Sequence, residues 1–393
     1  MKIKENIFYT GKVDWELRTF HGEELSTHNG TSFNSYLVRD EKTVLIDSVW
    51  TPFTGEFISN LEKITDLSEI DYIVAQHNEP DHSGAMAHLM MKIPETPIYC
   101  TKNGKNALYG HYHKDWDFRE VKTGDSLDLG SKQLTFIEAP MLHWPDTMMS
   151  YLSGDNILFS NDVFGQHLAS EFLFDDLVDP ATLSYEALKY YVNIISPFAK
   201  KVSKKMEELK EMDLDIDMIC PSHGIIWKEK INNIIADYTS WAKGVNKDKI
   251  VIIYDTMYNS TRKMAESIAE GIKLESPDTE IKIFRSSTSD PSDLLVDVFD
   301  AKGIMVGSPN LNGNLLSSVN AIMDEIKSMN LSGKKAASFG SYGWSPMNIK
   351  LMNKLLEEAG FEVIGKGLKV QWVPDKKALE QSIDQGREFA GSF

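Results

Sequence analysis

The sequence has little of what defines several common classes of protein. Among 393 residues only two are cysteines, Cys100 and Cys220, and they form no Cys-x-x-Cys pair. A disulfide framework, an iron–sulfur cluster and a four-cysteine iron site are therefore excluded within this chain. So few cysteines suit a reducing compartment, and we expect a cytoplasmic protein.

Positive charge and long apolar runs are scarce as well. The chain has 41 Lys and Arg against 58 Asp and Glu, a formal net charge of −17, whereas binding nucleic acid needs a basic face. No run approaches the ~20 apolar residues of a membrane-spanning helix. The first residues also lack the apolar block of a signal peptide, so we expect partners other than nucleic acid or membrane.

The first half of the chain predicts short strands with intervening helices. Asn34–Arg39 and Thr43–Asp47, separated by a polar turn, predict a hairpin. Further strands are predicted at 71–76, 97–100, 133–137, 149–152, 157–159 and 217–220. Helices are predicted at 57–64, 102–112, 182–211 and 228–243, the third of them broken near Pro197.

The pattern changes after a polar connector, Gly244–Lys249, so we predict two domains, 1–247 and 248–393. Strands at 250–253, 280–284, 303–307, 334–339 and 362–370 now alternate with helices at 261–274, 291–301, 315–330, 345–359 and 376–390. Such α/β alternation with unbroken apolar strands predicts a doubly wound, parallel five-stranded sheet.

Residues that commonly bind metals collect where predicted strands of the first half end. The set consists of His77, Glu79, Asp81, His82, His143, Asp162 and His223. The first four fall within six positions, where two carboxylates and two imidazoles repel or desolvate one another unless a cation is present. Seven ligands are too many for one zinc ion but suit two metal ions with a bridging carboxylate, for which Asp162 is the natural candidate. Mixed nitrogen and oxygen ligands suit iron, manganese or zinc.

Three loops of the second half predict a flavin site. The first, Tyr254–Thr261, brings hydroxyls and amides to the start of a helix, which suits a terminal phosphate. Because Gly-x-x-x-x-Gly-Lys and Gly-x-Gly-x-x-Gly are both missing, FMN is expected rather than a nucleoside triphosphate or a dinucleotide. The other loops, 307–314 and 340–345, follow apolar strands at the edge where α/β sheets bind ligands. The predicted FMN-binding residues are Thr256, Met257, Tyr258, Asn259, Ser260, Thr261, Ser308, Pro309, Asn310, Leu311, Asn312, Gly313, Asn314, Ser341, Tyr342, Gly343 and Trp344.

At the motif His77-x-Glu79-x-Asp81-His82 the chain resembles the metallo-β-lactamase fold, in which the second position is a histidine. The carboxylate of Glu79 favours redox iron over zinc, since iron prefers harder oxygen ligation. Together with the flavodoxin-like second half, this motif resembles the flavodiiron proteins over essentially the whole chain. The resemblance implies an αββα metallo-β-lactamase-like sandwich followed by a flavodoxin-like doubly wound sheet.

The resemblance also implies how the residues are used. One iron would take His77, Glu79 and His143, the other would take Asp81, His82 and His223, and Asp162 would bridge. Family members differ in whether the residue at His82 binds, and which aromatic residue stacks on the flavin is also left open. No catalytic residue beyond the metal ligands is expected.

The implied activity is reduction of dioxygen to water, of nitric oxide to nitrous oxide, or of both, at a non-haem diiron site. The electrons for this reduction would be delivered through FMN. The resemblance implies a rubredoxin-like electron donor and a head-to-tail homodimer or a homotetramer. The alternative is a two-zinc hydrolase of the metallo-β-lactamase type with an appended flavodoxin-like domain, which Glu79 disfavours.

Overall fold

The chain forms two compact units, each described here by itself. The computed structural model describes residues 1–329 and 331–393. One unit comprises Met1–Glu23 and Thr27–Ala242, and the other comprises Glu24–Ser26 and Lys243–Phe393. The predicted boundary between residues 247 and 248 falls one residue into the strand Lys247–Tyr254. None of the helices in the described stretches combines the length and apolar character needed to cross a membrane.

The strands up to residue 242 are β1 (Lys2–Lys4), β2 (Ile7–Tyr9), β3 (Lys12–Asp14), β4 (Thr19–Phe20), β5 (Leu25–Ser26), β6 (Thr31–Phe33), β7 (Tyr36–Arg39), β8 (Thr43–Ile46), β9 (Tyr72–Val74), β10 (Ile98–Cys100), β11 (Phe118–Glu120), β12 (Ser126–Asp128), β13 (Gln133–Glu138), β14 (Met148–Leu152), β15 (Ile157–Asn161) and β16 (Met218–Pro221). The helices are α1 (Thr54–Glu62), α2 (Pro80–Ser83), α3 (Met86–Lys92), α4 (Lys102–Tyr112), α5 (Pro180–Tyr190), α6 (Ala199–Glu211) and α7 (Ile231–Lys243).

Two large sheets form the core of the first unit. One has the order β1-β2-β7-β8-β9-β10-β11 and the other the order β12-β13-β14-β15-β16. Alternate apolar residues of both sheets, such as Val38 and Ile46 of the first and Phe136 and Phe159 of the second, share one buried core. The opposite face of the first sheet packs on α1, α3 and α4 through a second apolar cluster that includes Phe57. This sandwich brings the ends of β9, β15 and β16 into one region.

Most predicted elements of this unit are confirmed, and the long helical region differs in detail. The hairpin forms between β7 and β8, with Leu37 opposite Leu45, and α4 covers the predicted 102–112. The predicted helix 182–211 is interrupted twice, by a π-helix at Tyr191–Ile195 and a 3₁₀ turn at Ser196–Phe198. The proline therefore causes part of the break, while the wider π turn precedes it and starts directly after Tyr190.

The second unit is built on a parallel sheet. Its strands are β17 (Lys247–Tyr254), β18 (Glu280–Arg285), β19 (Ala301–Gly307), β20 (Lys335–Tyr342), β21 (Glu362–Val363) and β22 (Leu368–Gln371), and its helices are α8 (Ser260–Glu275), α9 (Pro291–Asp300), α10 (Ser317–Ser328), α11 (Met347–Glu358) and α12 (Lys376–Ala390). The order is β18-β17-β19-β20, with β21 and β22 both beside β20, and all these pairs are parallel.

Two details depart from the prediction. The fifth strand position, predicted as one strand at 362–370, holds two short strands because Gly365 and Gly367 take positive φ angles of 72° and 80° between them. The helix predicted at 315–330 is α10, and position 330 lies outside the described residues. The doubly wound arrangement itself is confirmed, and it places the loops after β17, β19, β20 and β22 at one edge.

Candidate metal centre and flavin site

The structure brings all seven predicted metal ligands together. His77 follows β9, Glu79 precedes α2, and α2 carries Asp81 and His82. His143 lies between β13 and β14, while Asp162 and His223 follow β15 and β16. Most are almost fully buried, whereas Glu79 and His143 keep 14% and 12% of their side-chain surface exposed. The exposed fraction marks the side from which a small molecule can enter.

The first group of side chains gathers around one carboxylate oxygen. Oδ2 of Asp162 lies 3.6 Å from Nε2 of His77 and 3.4 Å from Nε2 of His143. Oε2 of Glu79 lies 3.3 Å and 3.4 Å from the same two nitrogens. Bonds of about 2.1 Å to one ion separate neighbouring ligand atoms by about 3.0–3.5 Å. These four atoms are therefore spaced as ligands of one cation would be.

The second group gathers around the other oxygen of the same carboxylate. Oδ1 of Asp162 lies 3.2 Å from Nε2 of His82 and 3.6 Å from Nε2 of His223. Oδ2 of Asp81 lies 3.2 Å from both of these nitrogens. Asp162 thus turns one oxygen to each group, which is the geometry of a bridge between two cations.

Polar atoms without hydrogen-bond partners support a metal site. Both carboxylate oxygens of Asp81 and Oδ2 of Asp162 are buried. The imidazole nitrogens near them are not oriented for a hydrogen bond, so these oxygens have no hydrogen-bond partner. Burying such atoms without compensation is costly. Donor atoms that are clustered, buried and unpaired fit bound metal ions, so the residues present fit a dinuclear metal centre.

Neighbouring groups fix the orientation of the imidazoles. Nδ1–H of His77 donates to the Asp146 carboxylate, at 3.2 Å from either oxygen, and Nδ1–H of His223 donates to the Ser32 carbonyl at 2.7 Å. Each bond leaves Nε2 with its lone pair toward the cluster, as is usual for metal-binding histidines. The hydroxyl of Ser222 donates to Oδ1 of Asp162 at 2.6 Å.

The carboxylates shift the protonation of this cluster. Burial lowers the pKa of His82, but Asp81 and Asp162 outweigh it and raise that pKa to about 9. Burial by itself would raise the pKa of Asp162, yet His82, His143 and His77 hold it well below its usual range. Protons on the imidazoles therefore balance the carboxylates when no metal ion is bound, and a metal ion would replace them.

Several residues of the site were missed from the sequence. Asp146 and Ser32 support ligands, His21 donates to Glu79 with Nε2 at 3.1 Å from Oε1, and the buried Tyr190 ring lies 5.9 Å from that of His223. His167 is buried against Tyr190 and His223, at 5.0 Å from each ring. Asp146 had a usable signal, since it closes the loop that carries His143. His167 was not missed in the same sense, because its position five residues after Asp162 already marked it as a possible neighbour of the metal ligands.

The predicted flavin loops surround one cavity of about 320 Å³ in the second unit. Twelve of the seventeen predicted residues line it, namely Thr256, Met257, Tyr258, Ser260, Pro309, Asn310, Leu311, Asn312, Ser341, Tyr342, Gly343 and Trp344. The remaining five, Asn259, Thr261, Ser308, Gly313 and Asn314, lie in the same loops without lining it. Thr261, for example, is buried and its hydroxyl pairs with that of Ser341 at 3.2 Å. The cavity opens over the start of α8, whose free N–H groups suit a phosphate.

Two lining residues were not predicted, Trp372 and Val373. They follow β22, so the rule that placed the other loops would have found them had it been applied to this strand. A Cβ atom on Gly343 would approach the Trp372 ring to 2.8 Å, which explains a glycine here. Trp344 lines the cavity and is 85% exposed, so it does not belong to the hydrophobic core.

Comparisons with known proteins agree with this architecture. The family model of the ODP family beta lactamase matches residues 31–224, and the flavodoxin model matches residues 252–386. An anaerobic nitric oxide reductase flavorubredoxin of Vibrio vulnificus is 48% identical over 390 residues, covering 99% of this chain and 79% of that protein.

Two solved structures match over nearly their whole length. The rubredoxin oxygen:oxidoreductase of Desulfovibrio gigas superimposes with a TM-score of 0.97 at 34% identity, covering 100% of this chain and 98% of that one. The flavodiiron protein of Giardia intestinalis superimposes with a TM-score of 0.94 at 30% identity, covering 99% of this chain and 95% of that one.

A lactamase-like domain and a flavodoxin-like domain follow one another in this chain, and nearly the whole chain matches a nitric oxide reductase flavorubredoxin and an oxygen:oxidoreductase. The protein is therefore an oxidoreductase. More narrowly, the chain belongs to the flavodiiron protein family. The family and fold predicted from the motif at Glu79 are confirmed, and the comparisons favour the reductase over the hydrolase alternative.

Proposed function

We propose that this chain reduces nitric oxide to nitrous oxide, dioxygen to water, or both, at two iron ions held by His77, Glu79, Asp81, His82, His143, Asp162 and His223. The observation that carries the proposal is the placement of Asp162, whose two oxygens each face a separate group of donors. Two ferrous ions and a reduced flavin supply the four electrons that dioxygen needs, and two nitric oxide molecules need two.

The surrounding residues prepare the site for this chemistry. Asp146 and Ser32 fix the tautomers of His77 and His223, and Ser222 holds the shared carboxylate. The open side, marked by the partly exposed Glu79 and His143, admits a diatomic molecule. The buried ring of Tyr190 and the half-buried ring of Phe20 exclude bulk water around His223.

FMN is the proposed electron carrier, held in the cavity of the second unit. The phosphate would lie at the start of α8, near Thr256 and Ser260, and the ring system between the loops after β19, β20 and β22. The buried carboxylate of Asp255 shapes the phosphate loop, because it accepts from the Thr256 N–H at 2.8 Å and the Ser318 hydroxyl at 2.6 Å.

The proposal includes two partners and a compartment. Around the flavin cavity Tyr258, Trp344, Trp372 and Val373 are exposed by 87%, 85%, 60% and 65%. Such an apolar rim favours protein contacts, which supports a rubredoxin-like donor and a head-to-tail homodimer or homotetramer. Cys100 and Cys220 are both buried as free thiols, which suits the reducing cytoplasm. We also propose that 1–247 is the diiron domain and 248–393 the FMN domain.

Steady-state turnover with each gas tests the proposal. The purified protein, loaded with iron and FMN, is given NADH, rubredoxin and its reductase, and consumption of nitric oxide and of dioxygen is measured separately. We expect turnover that depends on rubredoxin and slow flavin reduction by NADH alone. A protein that holds two zinc ions, lacks FMN and consumes neither gas would overturn the proposal.

A further inference from the structure

The two carboxylate oxygens of Glu79 face different partners. Oε2 lies 3.3 Å from Nε2 of His77 and 3.4 Å from Nε2 of His143, on the side of the first donor group. Oε1 lies 3.1 Å from Nε2 of His21. Only 14% of the Glu79 side chain is exposed, and His21 is the hydrogen-bonding partner of Oε1.

We propose that His21 is a positioning residue that keeps Glu79 bound to the metal through one oxygen. By donating its Nε2–H to Oε1, it leaves only Oε2 for the cation, and the coordination position that Oε1 would take stays free for the substrate. This inference rests on the proposed function. It holds in either charge state of His21, because neutral and protonated imidazoles can both present an N–H at Nε2.

The count of donors explains why this matters. The first group supplies His77, His143, Oε2 of Glu79 and Oδ2 of Asp162, which is four atoms toward one ion. Iron commonly accepts six ligands. A carboxylate free to use both oxygens would take a fifth position, beside the exposed edge of the site. The hydrogen bond from His21 therefore protects an entry position.

The backbone at His21 has an uncommon conformation. Its φ angle is +52°, in the left-handed region that residues with a Cβ atom rarely adopt. Such conformations persist where the surrounding structure holds them and cluster at functional sites. The ring packs on Phe20 with a centroid distance of 4.5 Å and faces His143 at 6.0 Å. With 32% of its side chain exposed, His21 lies at the rim rather than in the core.

His21 could alternatively bind a metal ion itself. Its ligand atom and those of Glu79 and His143 all lie within 4.8 Å of one another. The two roles predict opposite results when the imidazole is removed. A positioning residue leaves the number of bound ions unchanged and frees Oε1 to bind, whereas loss of a ligand reduces occupancy or affinity.

The test uses cobalt(II) in place of iron, because the intensity of its d–d absorption falls as the coordination number rises. His21→Leu removes the donor, and His21→Gln keeps an N–H group. His113→Leu is the matched control, since His113 also has a φ of +52° and lies at the C-cap of α4 against Tyr109. Bound cobalt, the d–d spectrum and azide affinity are measured on the full chain, with circular dichroism as the check of folding.

We expect two cobalt ions in every variant. In His21→Leu the d–d absorption should weaken and azide should bind about tenfold less tightly, as is typical when a neighbour of a metal ligand is lost. His21→Gln and His113→Leu should match the unaltered chain. Loss of one cobalt ion in His21→Leu, or an unchanged spectrum and azide affinity, would overturn the inference. If His21→Leu does not fold, His21→Ala, which also lacks the donor, takes its place. A spectrum and azide affinity in His21→Ala equal to those of the unaltered chain would then overturn the inference. Failure of the unaltered chain to bind two ions would instead count against the proposed function.

Discussion

The metal centre and the flavin cavity differ in where their chemistry lies. The metal centre consists of charged side chains that are mostly buried, come from separate strand ends and have neighbouring groups that fix their orientation. The flavin cavity is formed by consecutive loop residues, and its aromatic rim is largely exposed. The first site therefore depends on single side chains, whereas the second depends on loop shape and shared contacts.

Among the predicted substitutions, Asp162→Asn should have the largest effect on metal content and turnover. It removes the charge that faces both donor groups, so both metal ions should be lost and turnover should fall by at least about 100-fold. FMN content should remain unchanged. Elemental analysis and gas consumption check this, with Asp117→Asn, an exposed carboxylate paired with Arg119, as the control. Two retained irons would show that Asp162 is not the bridge.

Glu79→His restores the imidazole of the hydrolase motif. We expect a shift of metal preference from iron toward zinc and a fall in reductase turnover of about 10–100-fold. Competition between Fe²⁺ and Zn²⁺ for the metal-free protein, measured by elemental analysis, gives the preference. Glu79→Gln, which also removes the charge, separates the loss of a carboxylate from the gain of an imidazole. Near-normal turnover with two irons in Glu79→His would refute this role of Glu79.

The metal-free protein should become less stable as pH rises above 6.5. Against the effect of burial, Asp81 and Asp162 raise the pKa of His82 from 6.5 to about 9, so the folded state holds a proton that the unfolded chain releases. The stabilisation is complete below pH 6.5 and is lost as pH passes through about 9, on the order of 3 kcal/mol.

Denaturant unfolding at several pH values measures this loss. The same series on His82→Gln should show a flatter dependence, since the proton is no longer bound. The iron-loaded protein should also show a flatter dependence, because a metal ion replaces the protons. Equal slopes for the metal-free protein and His82→Gln would contradict the prediction.

Trp372→Ala should have the smallest effect, because the flavin cavity has several contact groups. Loss of one aromatic neighbour, worth about 1 kcal/mol, should weaken FMN binding roughly 5–10-fold and leave the iron content unchanged. Fluorescence titration of the FMN-free protein gives the affinity. Trp15→Ala, another exposed tryptophan in the first unit, is the control. An unchanged affinity would place Trp372 outside the flavin contacts.

The sequence was most informative about the metal site, because few residue types bind metal ions. A strand that ends in a potential metal ligand is rare enough to interpret, so the seven residues from His77 to His223 could be predicted together. The helix predicted at 102–112 and the hairpin at Tyr36–Ile46 followed from local patterns. Ser32 could not be found in this way, because it acts through a backbone carbonyl that every residue has.

Other differences came from tertiary contacts. His21 contacts Glu79 across 58 positions of sequence, and no local pattern marks that contact. The π-helix after Tyr190 and the split strand at Gly365 are backbone adjustments that depend on packing. Trp372 was recoverable, since it follows a predicted strand at the same edge as the other flavin loops.

The wide separation of the metal-binding residues in sequence also affects the life of the protein in a cell. The donors meet only after β9, β15 and β16 have assembled, so metal ions act as ligands of the folded state. Each tenfold rise in free iron above the dissociation constant then adds about 1.4 kcal/mol per site to the free energy of unfolding. A cell poor in iron would hold chains that unfold and are degraded sooner. The amount of this reductase should therefore follow the iron supply even when its synthesis is constant.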